Sequence, residues 1–156
     1  MKISKFSTAI VDIPLKRPHK MSMGIIEKVN VVLVIVKSDK GIRGLGEAVA
    51  LDGPTWSEES AESIQSVINK YLAPLLIGKN PENFEYIRQL MEVYRGNYFA
   101  KAAIEMALFD LVGNEYGVPV YNLIGGKVKD QIPLSWSIAG ENVDEEILEA
   151  NEMYKK

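Results

Sequence analysis

Residues 29–50, with the sequence VNVVLVIVKSDKGIRGLGEAVA, decide the fold class of this chain. The stretch Val29–Val36 is rich in β-branched residues, and a second apolar stretch follows from Ile42 to Ala50. A short turn with a glycine joins the two stretches, so the pattern predicts a β-hairpin. A partner strand is predicted over Ile3–Leu15, where Pro14 marks its end. Together these stretches predict a three-stranded antiparallel sheet.

From Thr55 onward the apolar spacing becomes helical. Thr55 and Glu58 match a capping box at the start of a first helix, whose apolar face is Ile64, Val67, Ile68, Tyr71, Leu72 and Leu75. The sequence Asn-Pro-Glu at 80–82 predicts the start of a second helix. Residues 99–117 predict a third helix, and its alanines favour close approach by a neighbouring helix or sheet.

The last thirty residues predict one β-then-α unit. A short strand is expected from Gln131 to Gly140, and an amphipathic helix from Asn142 to Lys156. No parallel partner strand follows the helix, so we expect an incomplete piece of a larger architecture. The fold class predicted for the whole chain is therefore α+β.

Composition excludes several classes of protein. The 156 residues are too few for a complete TIM barrel, which needs about 250. The net charge of −3 argues against a nucleic-acid partner, which would require a basic surface. There is no apolar run of roughly 20 residues and no signal-peptide core, so we expect a cytoplasmic protein without a membrane partner. The absence of cysteine excludes disulfides and thiolate chemistry.

The stretch 17–24, RPHKMSMG, contains the only histidine, His19. Imidazole is the commonest general base, but the sequence spacing supplies neither a nucleophile nor an orienting carboxylate. We therefore expect a loop histidine that faces solvent or a ligand, not a catalytic base. Met21 and Met23 lie two residues apart, and Trp56 lies before the first helix, so these side chains are candidates to line an apolar ligand. Packing of loop ends is the alternative.

Other motifs favour structural roles. The glycines of GIRGLGEA, residues 41–48, lack the spacing and following helix of a dinucleotide-binding loop, and LIGGKVKD, residues 123–130, lacks the pattern of a phosphate loop. Glu47, Glu105 and Asp110 lie near apolar residues, and each is expected to pair with a basic side chain. No metal site is predicted from these carboxylates.

Five segments taken together resemble the N-terminal part of the mandelate racemase and muconate lactonizing enzyme group of the enolase superfamily. They are IVDIPLKRPHKMSM, SDKGIRGLGEA, APLLIGKNP, NYFAKAAIEMALFDLVGNEYGVPVYNLIGG and SWSIAG, at residues 10–23, 38–48, 73–81, 97–126 and 135–140. Their order and spacing span nearly the whole chain. The RPHK element is most similar to muconate cycloisomerases within the group.

The resemblance implies an enolase-type N-terminal capping domain over residues 1–126, with a three-stranded antiparallel sheet followed by a helical bundle. Residues 127–156 would be the first βα unit of an incomplete (β/α)8 barrel. Two cap loops, matched here by residues 17–24 and 51–56, would close over the substrate. The implied substrate-binding residues are Arg17, His19, Lys20, Met21, Met23, Trp56, Ser135 and Ser137.

The resemblance also implies an activity: proton abstraction or addition next to a carboxylate, through an enolate held on Mg²⁺ or Mn²⁺. For a cycloisomerase the substrate would be cis,cis-muconate and the product a lactone. The family's catalytic lysines form a Lys-x-Lys motif on the second barrel strand. Lys155 and Lys156 are adjacent and do not match it, so neither catalytic residues nor metal ligands are expected in this chain.

The implied partners are a small carboxylate substrate, the missing barrel segment and further copies of the chain in a homo-oligomer. Other racemases or epimerases of the superfamily and o-succinylbenzoate synthases share this cap, so the carboxylate substrate stays open. A stand-alone α+β binding or interaction module without chemistry is the alternative from a different class of protein.

Overall fold

A computed structural model describes residues 1–21, 24–51, 53–138 and 142–155. Three strands, β1 (Ile3–Met21), β2 (Gly24–Ser38) and β3 (Arg43–Ala50), form one antiparallel sheet in the order β1-β2-β3. Helices follow the sheet in the chain. The predicted α+β architecture, a three-stranded sheet followed by helices, is confirmed.

Strand β1 is longer than predicted and does not end near Pro14. Its pairing with β2 is interrupted between Pro14 and His19, and then resumes with His19 opposite Ile26. Proline has no backbone N–H to donate, so it interrupts a ladder without requiring the strand to end, provided that it lies in an edge strand such as β1. The stretch predicted as a loop after residue 16 is therefore largely the end of a long β-hairpin.

The helical part begins with three short segments in direct succession. These are α1 (Ala61–Val67), a π-helical turn (Ile68–Leu72) and α2 (Ala73–Leu76). The remaining helices are α3 (Phe84–Met91), α4 (Tyr98–Tyr116), α5 (Val120–Leu123) and α6 (Val143–Tyr154). Among the described residues, none of these helices has both the length and the apolar character needed to cross a membrane.

The predicted capping box at Thr55 and Glu58 is wrong. Helix α1 begins later, and Ser60 caps it reciprocally with Ser63. The Thr55 hydroxyl instead donates to the Leu51 carbonyl, 2.6 Å away, inside the preceding loop. Both serines and threonines can close local turns of this kind, so the residue pattern alone did not locate the helix start.

Helix α4 lies directly on β3. A Cβ atom built on Gly44 would lie 2.0 Å from the Ala107 carbonyl oxygen, and one built on Gly46 would lie 2.0 Å from the Ala103 carbonyl oxygen. Real Cβ atoms do not approach other atoms this closely, so glycine is required at both positions. The close approach predicted from the alanines of α4 is confirmed, and it explains Gly44 and Gly46.

One core lies between the sheet and the helices. Alternate residues of β2 face it, which follows from the period of two along a strand. Its largest members, all buried, are Ile3, Val32, Val34, Val36, Ile64, Ile68, Leu72, Leu76, Ile87, Met91, Ile104, Leu108 and Leu111. This core holds the sheet and α4 in a fixed relation, and so fixes the position of the loop that follows β3.

The C-terminal segment, which we define as the described residues 127–138 and 142–155, differs from its prediction in one respect. Helix α6 is present with Asn142 as its N-cap, but residues 131–138 form no strand. The end of the predicted strand, at 139 and 140, lies outside the described residues. A strand needs a hydrogen-bonded neighbour, and nothing in the described chain pairs with this segment. Large apolar side chains in it are open to solvent: Ile132 is 77% exposed and Leu134 is 94% exposed.

Candidate functional site

The residues predicted to face a substrate fall in three regions. Arg17, His19 and Lys20 lie in the hairpin tip, which we define as the described residues 17–21 and 24–26. Trp56 lies in the loop after β3, and Ser135 and Ser137 lie in the C-terminal segment. Met23 lies outside the described residues. For Met21 the structure describes the backbone, paired with Gly24, but not the side chain.

The structure brings Arg17 to the C-terminal segment. Its guanidinium forms an ion pair with Glu149 of α6 and donates a hydrogen bond to the Ser137 carbonyl at 3.2 Å. It also lies over the ring of Trp136, 4.8 Å from the ring centroid. The structure therefore brings together two of the residues predicted to bind substrate, and the contact uses the serine backbone carbonyl and not its hydroxyl. Ser135 is exposed to solvent.

His19 and Lys20 are successive residues of the paired hairpin tip. His19 lies opposite Ile26, and Lys20 lies opposite Ile25. Successive residues of a strand point to opposite faces. The two side chains therefore leave the hairpin in opposite directions, and only one of them can face a given bound anion.

Hydrogen bonds to the Asp12 carboxylate join β1 to β2 next to the hairpin tip. Lys28 Nζ donates to Asp12 Oδ2 at 2.5 Å, and Asn30 Nδ2 donates to Asp12 Oδ1 at 2.5 Å. These hydrogen bonds, the one from Lys28 foremost, hold the pKa of the Asp12 carboxyl below its ordinary value. The aspartate is ionised at neutral pH, so these cross-strand hydrogen bonds are charge-assisted. They lie just before the point where the register between β1 and β2 shifts.

Trp56 borders a small pocket at the end of β3. The indole is 67% exposed, and the pocket has a volume of about 170 Å³. Its lining is mainly apolar and consists of Val49, Ala50, Leu51, Gly53, Trp56, Ser57, Glu59 and Phe99. This arrangement fits an apolar group of a small ligand better than a charged group.

Glu59 is a buried residue that the sequence did not indicate. Its Oε1 accepts a hydrogen bond from the Phe99 N–H at 2.8 Å, and its Oε2 accepts one from the Ala100 N–H at 3.2 Å. These are among the first N–H groups of α4, which have no partners inside the helix. The N-cap residue of α4, Asn97, adopts a left-handed conformation and makes no side-chain cap. Glu59 caps α4 in its place.

The carboxylate of Asp110 is also used structurally, but not as predicted. It accepts a hydrogen bond from the Leu45 N–H of β3 at 2.7 Å, so the expected pairing with a basic side chain is wrong for this residue. The backbone of β3 comes close enough to α4 to supply the donor, because Gly44 and Gly46 carry no side chain. Glu59 and Asp110 thus fasten α4 at two points, and both carboxylates serve the scaffold of the candidate site.

No metal centre is formed within the described ranges of the chain. Across residues 1–21, 24–51, 53–138 and 142–155, no three His, Asp or Glu side chains gather closely enough to hold an ion. The candidate site therefore consists of the hairpin tip, the loop that carries Trp56 and the segment around Ser137. Among the described residues it offers polar and apolar side chains, but no cluster that could hold a metal ion.

A three-stranded antiparallel sheet followed by helices is the architecture of the capping-domain class. Comparison with known families agrees with this class. The model of the family "Mandelate racemase / muconate lactonizing enzyme, N-terminal domain" matches residues 5–125. The chain belongs to this family, and the predicted resemblance to the mandelate racemase and muconate lactonizing enzyme group of the enolase superfamily is confirmed.

Individual proteins extend the match to the whole chain. A chloromuconate cycloisomerase from Pseudomonas putida is 41% identical over 157 residues, which cover 100% of this chain and 42% of the relative. The structure of a muconate lactonizing enzyme from Pseudomonas fluorescens complexed with muconolactone superposes with a TM-score of 0.93 at 39% identity, over 99% of this chain and 42% of that one. An N-succinyl Arg/Lys racemase from Bacillus cereus superposes with a TM-score of 0.91 at 35% identity, over 99% and 42% of the two chains. The chain thus spans about two fifths of the length of these proteins.

Proposed function

We propose that this chain is the N-terminal part of a cycloisomerase that converts a muconate-type dicarboxylate into a lactone. The observation that carries the proposal is the 41% identity to a chloromuconate cycloisomerase, sustained over 100% of the chain. The structural similarity to a muconate lactonizing enzyme, with a TM-score of 0.93, supports it. Both cis,cis-muconate and its chlorinated forms are candidate substrates.

In this proposal the capping domain comprises residues 1–126, and residues 127–156 are the first βα unit of a barrel. The solvent-exposed apolar side chains of the second part support the division. Ile132 is 77% exposed and Leu148 is 71% exposed, which is costly for large apolar groups unless further protein covers them. The base and acid of the reaction would come from the barrel, and so would the ligands of the Mg²⁺ or Mn²⁺ that such a reaction requires.

The chain's own contribution would be to bind and enclose the substrate. His19 or Lys20 would attract a carboxylate, while Trp56, with Met21 and Met23, would cover the carbon chain. Ser135 and Ser137 would lie on the barrel side of the substrate. Arg17 is already paired with Glu149, so it is not free to bind the carboxylate. A cytoplasmic location and assembly into a homo-oligomer remain part of the proposal.

A racemase or epimerase acting on an acylated amino acid is the second candidate. It is favoured by the similarity to the N-succinyl Arg/Lys racemase, with a TM-score of 0.91. The same cap would then enclose an amino-acid carboxylate and its acyl group. The two candidates share the scaffold and differ in the substrate that the lid accepts.

A chimera separates the two candidates. This chain would replace the matching N-terminal 42% of the Pseudomonas putida chloromuconate cycloisomerase, and the purified chimera would be assayed with Mn²⁺ on cis,cis-muconate, 2-chloromuconate and N-succinyl-arginine. We expect lactone formation from at least one muconate and no racemisation, because the cycloisomerase barrel supplies the base and acid and the lid from this chain accepts the dicarboxylate.

The parent cycloisomerase and a chimera that carries the racemase's N-terminal part serve as controls. A folded chimera that racemises N-succinyl-arginine and leaves both muconates unchanged would favour the second candidate. A folded chimera without activity on any carboxylate would contradict both, and would support a binding module.

His19→Ala in the chimera tests the role of the hairpin tip. We expect KM for the dicarboxylate to rise about tenfold, because one charged hydrogen bond to a carboxylate contributes about 1.5 kcal/mol, while kcat changes less than threefold. Lys5→Ala is the matched control, since Lys5 is exposed at the opposite end of β1. A complete loss of kcat at unchanged KM would instead identify His19 as a catalytic residue.

A further inference from the structure

One cluster joins the hairpin tip to the C-terminal segment. Arg17 of the tip pairs with Glu149 of α6, donates to the Ser137 carbonyl at 3.2 Å and stacks over Trp136 at 4.8 Å. The Trp136 indole N–H also donates to Glu149 Oε1, at 2.8 Å. We call these four residues the Arg17 latch. It differs from a simple ion pair because one carboxylate accepts from two donors, and one guanidinium contacts three different groups.

The low exposure of Glu149 indicates that the Arg17 latch contributes to the stability of the hairpin tip. The side chain of Glu149 is only 19% exposed, whereas that of Arg17 is 47% exposed. A partly desolvated carboxylate with two donors is bound more strongly than the partners of an exposed pair. Arg88 on α3 offers the contrast, because its ion pairs with Glu85 and Glu92 join side chains that are all at least half exposed.

The hairpin tip needs such a contact because the sheet holds it weakly. The ladder between β1 and β2 is interrupted between Pro14 and His19, and three residue pairs follow the interruption. A two-stranded ribbon of this length is marginal without further packing. Ile25 in the tip is 63% exposed, so the tip buries little apolar surface of its own.

We infer that Arg17 is a positioning residue, which sets the direction of the hairpin tip by fastening it to Trp136, Ser137 and Glu149. The same tip carries His19 and Lys20, so the inference adds to the proposed function. Its meaning for catalysis rests on that proposed function. Arg17 would then orient the lid toward the first βα unit, and would not itself bind the substrate carboxylate. Lysine should replace it poorly, since a single ammonium cannot stack and donate to two groups in one plane.

Hydrogen exchange of the 156-residue chain tests this inference. In Arg17→Gln we expect the amides of the hairpin tip to exchange about fivefold faster, because loss of a partly exposed charged contact shifts a local opening equilibrium by about this factor. The amides around Val34, in the buried part of β2, should keep their rates. Glu149→Gln should produce the same local change from the other side of the latch, and is informative even if Arg17→Gln fails to fold.

Two further measurements distinguish positioning from a general effect on stability. The indole N–H resonance of Trp136 should shift in both variants. The exchanged pair Arg17→Glu with Glu149→Arg should restore only part of the protection, because it keeps the ion pair but loses the hydrogen bond to the Ser137 carbonyl and the cation over Trp136. Arg88→Gln is the control and should leave the tip unchanged. Unchanged tip exchange in both single variants would overturn the inference, as would equal acceleration at the tip and at Val34. No turnover is measured, so failure here would leave the cycloisomerase proposal intact, and an inactive chimera would leave the latch intact.

Discussion

Gly46→Ala is expected to destabilise the domain by about 4 kcal/mol or more, which is a large part of the stability of a typical domain. The added Cβ would lie 2.0 Å from the Ala103 carbonyl oxygen and 2.7 Å from the Ala107 backbone nitrogen. Both atoms belong to the backbone of α4, so no side-chain rotation can relieve the contact. The helix would have to move away from the sheet, and the buried packing between them would loosen.

Urea unfolding followed by circular dichroism measures this effect. Glu47→Ala is the matched control, because Glu47 is the next residue of β3 and is exposed on the other face of the sheet; it should change the free energy of unfolding by less than about 0.5 kcal/mol. If Gly46→Ala unfolds at the same urea concentration as the unaltered chain, then α4 does not lie on β3 at this distance.

Glu59→Gln is expected to cost about 2 to 3 kcal/mol of folding free energy, in the range of a buried hydrogen bond to a charged group. The amide can accept from Phe99 or from Ala100, but its other end is a donor that would face a second N–H group. The variant also removes a negative charge from the N-terminus of α4, where that charge is favourable. The loss should be local at first, because Glu59 joins the loop of Trp56 to the start of α4.

Hydrogen exchange at the Phe99 and Ala100 amides reports directly on this contact, and urea unfolding gives the total cost. Glu58→Gln is the matched control, since Glu58 is the preceding residue and is exposed. In the chimera, Glu59→Gln should also weaken substrate binding through the displaced Trp56 loop. Slow exchange of both amides in the variant would show that another group caps α4.

Patterns within one element were predicted well. The β-branched run of β2 and the alanine-rich face of α4 each specify their own conformation, because the period of apolar residues must match the period of the element. The terminal glycine of α4 is an example: Gly117 adopts the left-handed conformation expected of a helix C-cap. Order and spacing of five such segments were enough to identify the family.

Contacts between distant residues could not be predicted in the same way. Nothing near Glu59 in the sequence indicates that it caps a helix that begins at Tyr98, and nothing near Arg17 indicates Trp136 or Glu149 as its partners. The start of α1 was misplaced because Thr55 and Ser60 both belong to residue types that cap helices. The contacts of Glu59 and Arg17 depend on which distant groups come together in space, whereas the start of α1 depends on a local choice between two possible caps.

The amino-acid sequence by itself determined the α+β class, the three strands, the buried helix α4 and the family, because local conformation and apolar periodicity are properties of neighbouring residues. Only the tertiary structure decided that residues 17–21 continue a hairpin, that α4 approaches β3 through Gly44 and Gly46, and that Arg17 turns toward Glu149. The physical reason is that buried polar groups must form hydrogen bonds and buried surfaces must pack closely. The partners that satisfy these requirements are set by the fold and can lie far apart along the chain.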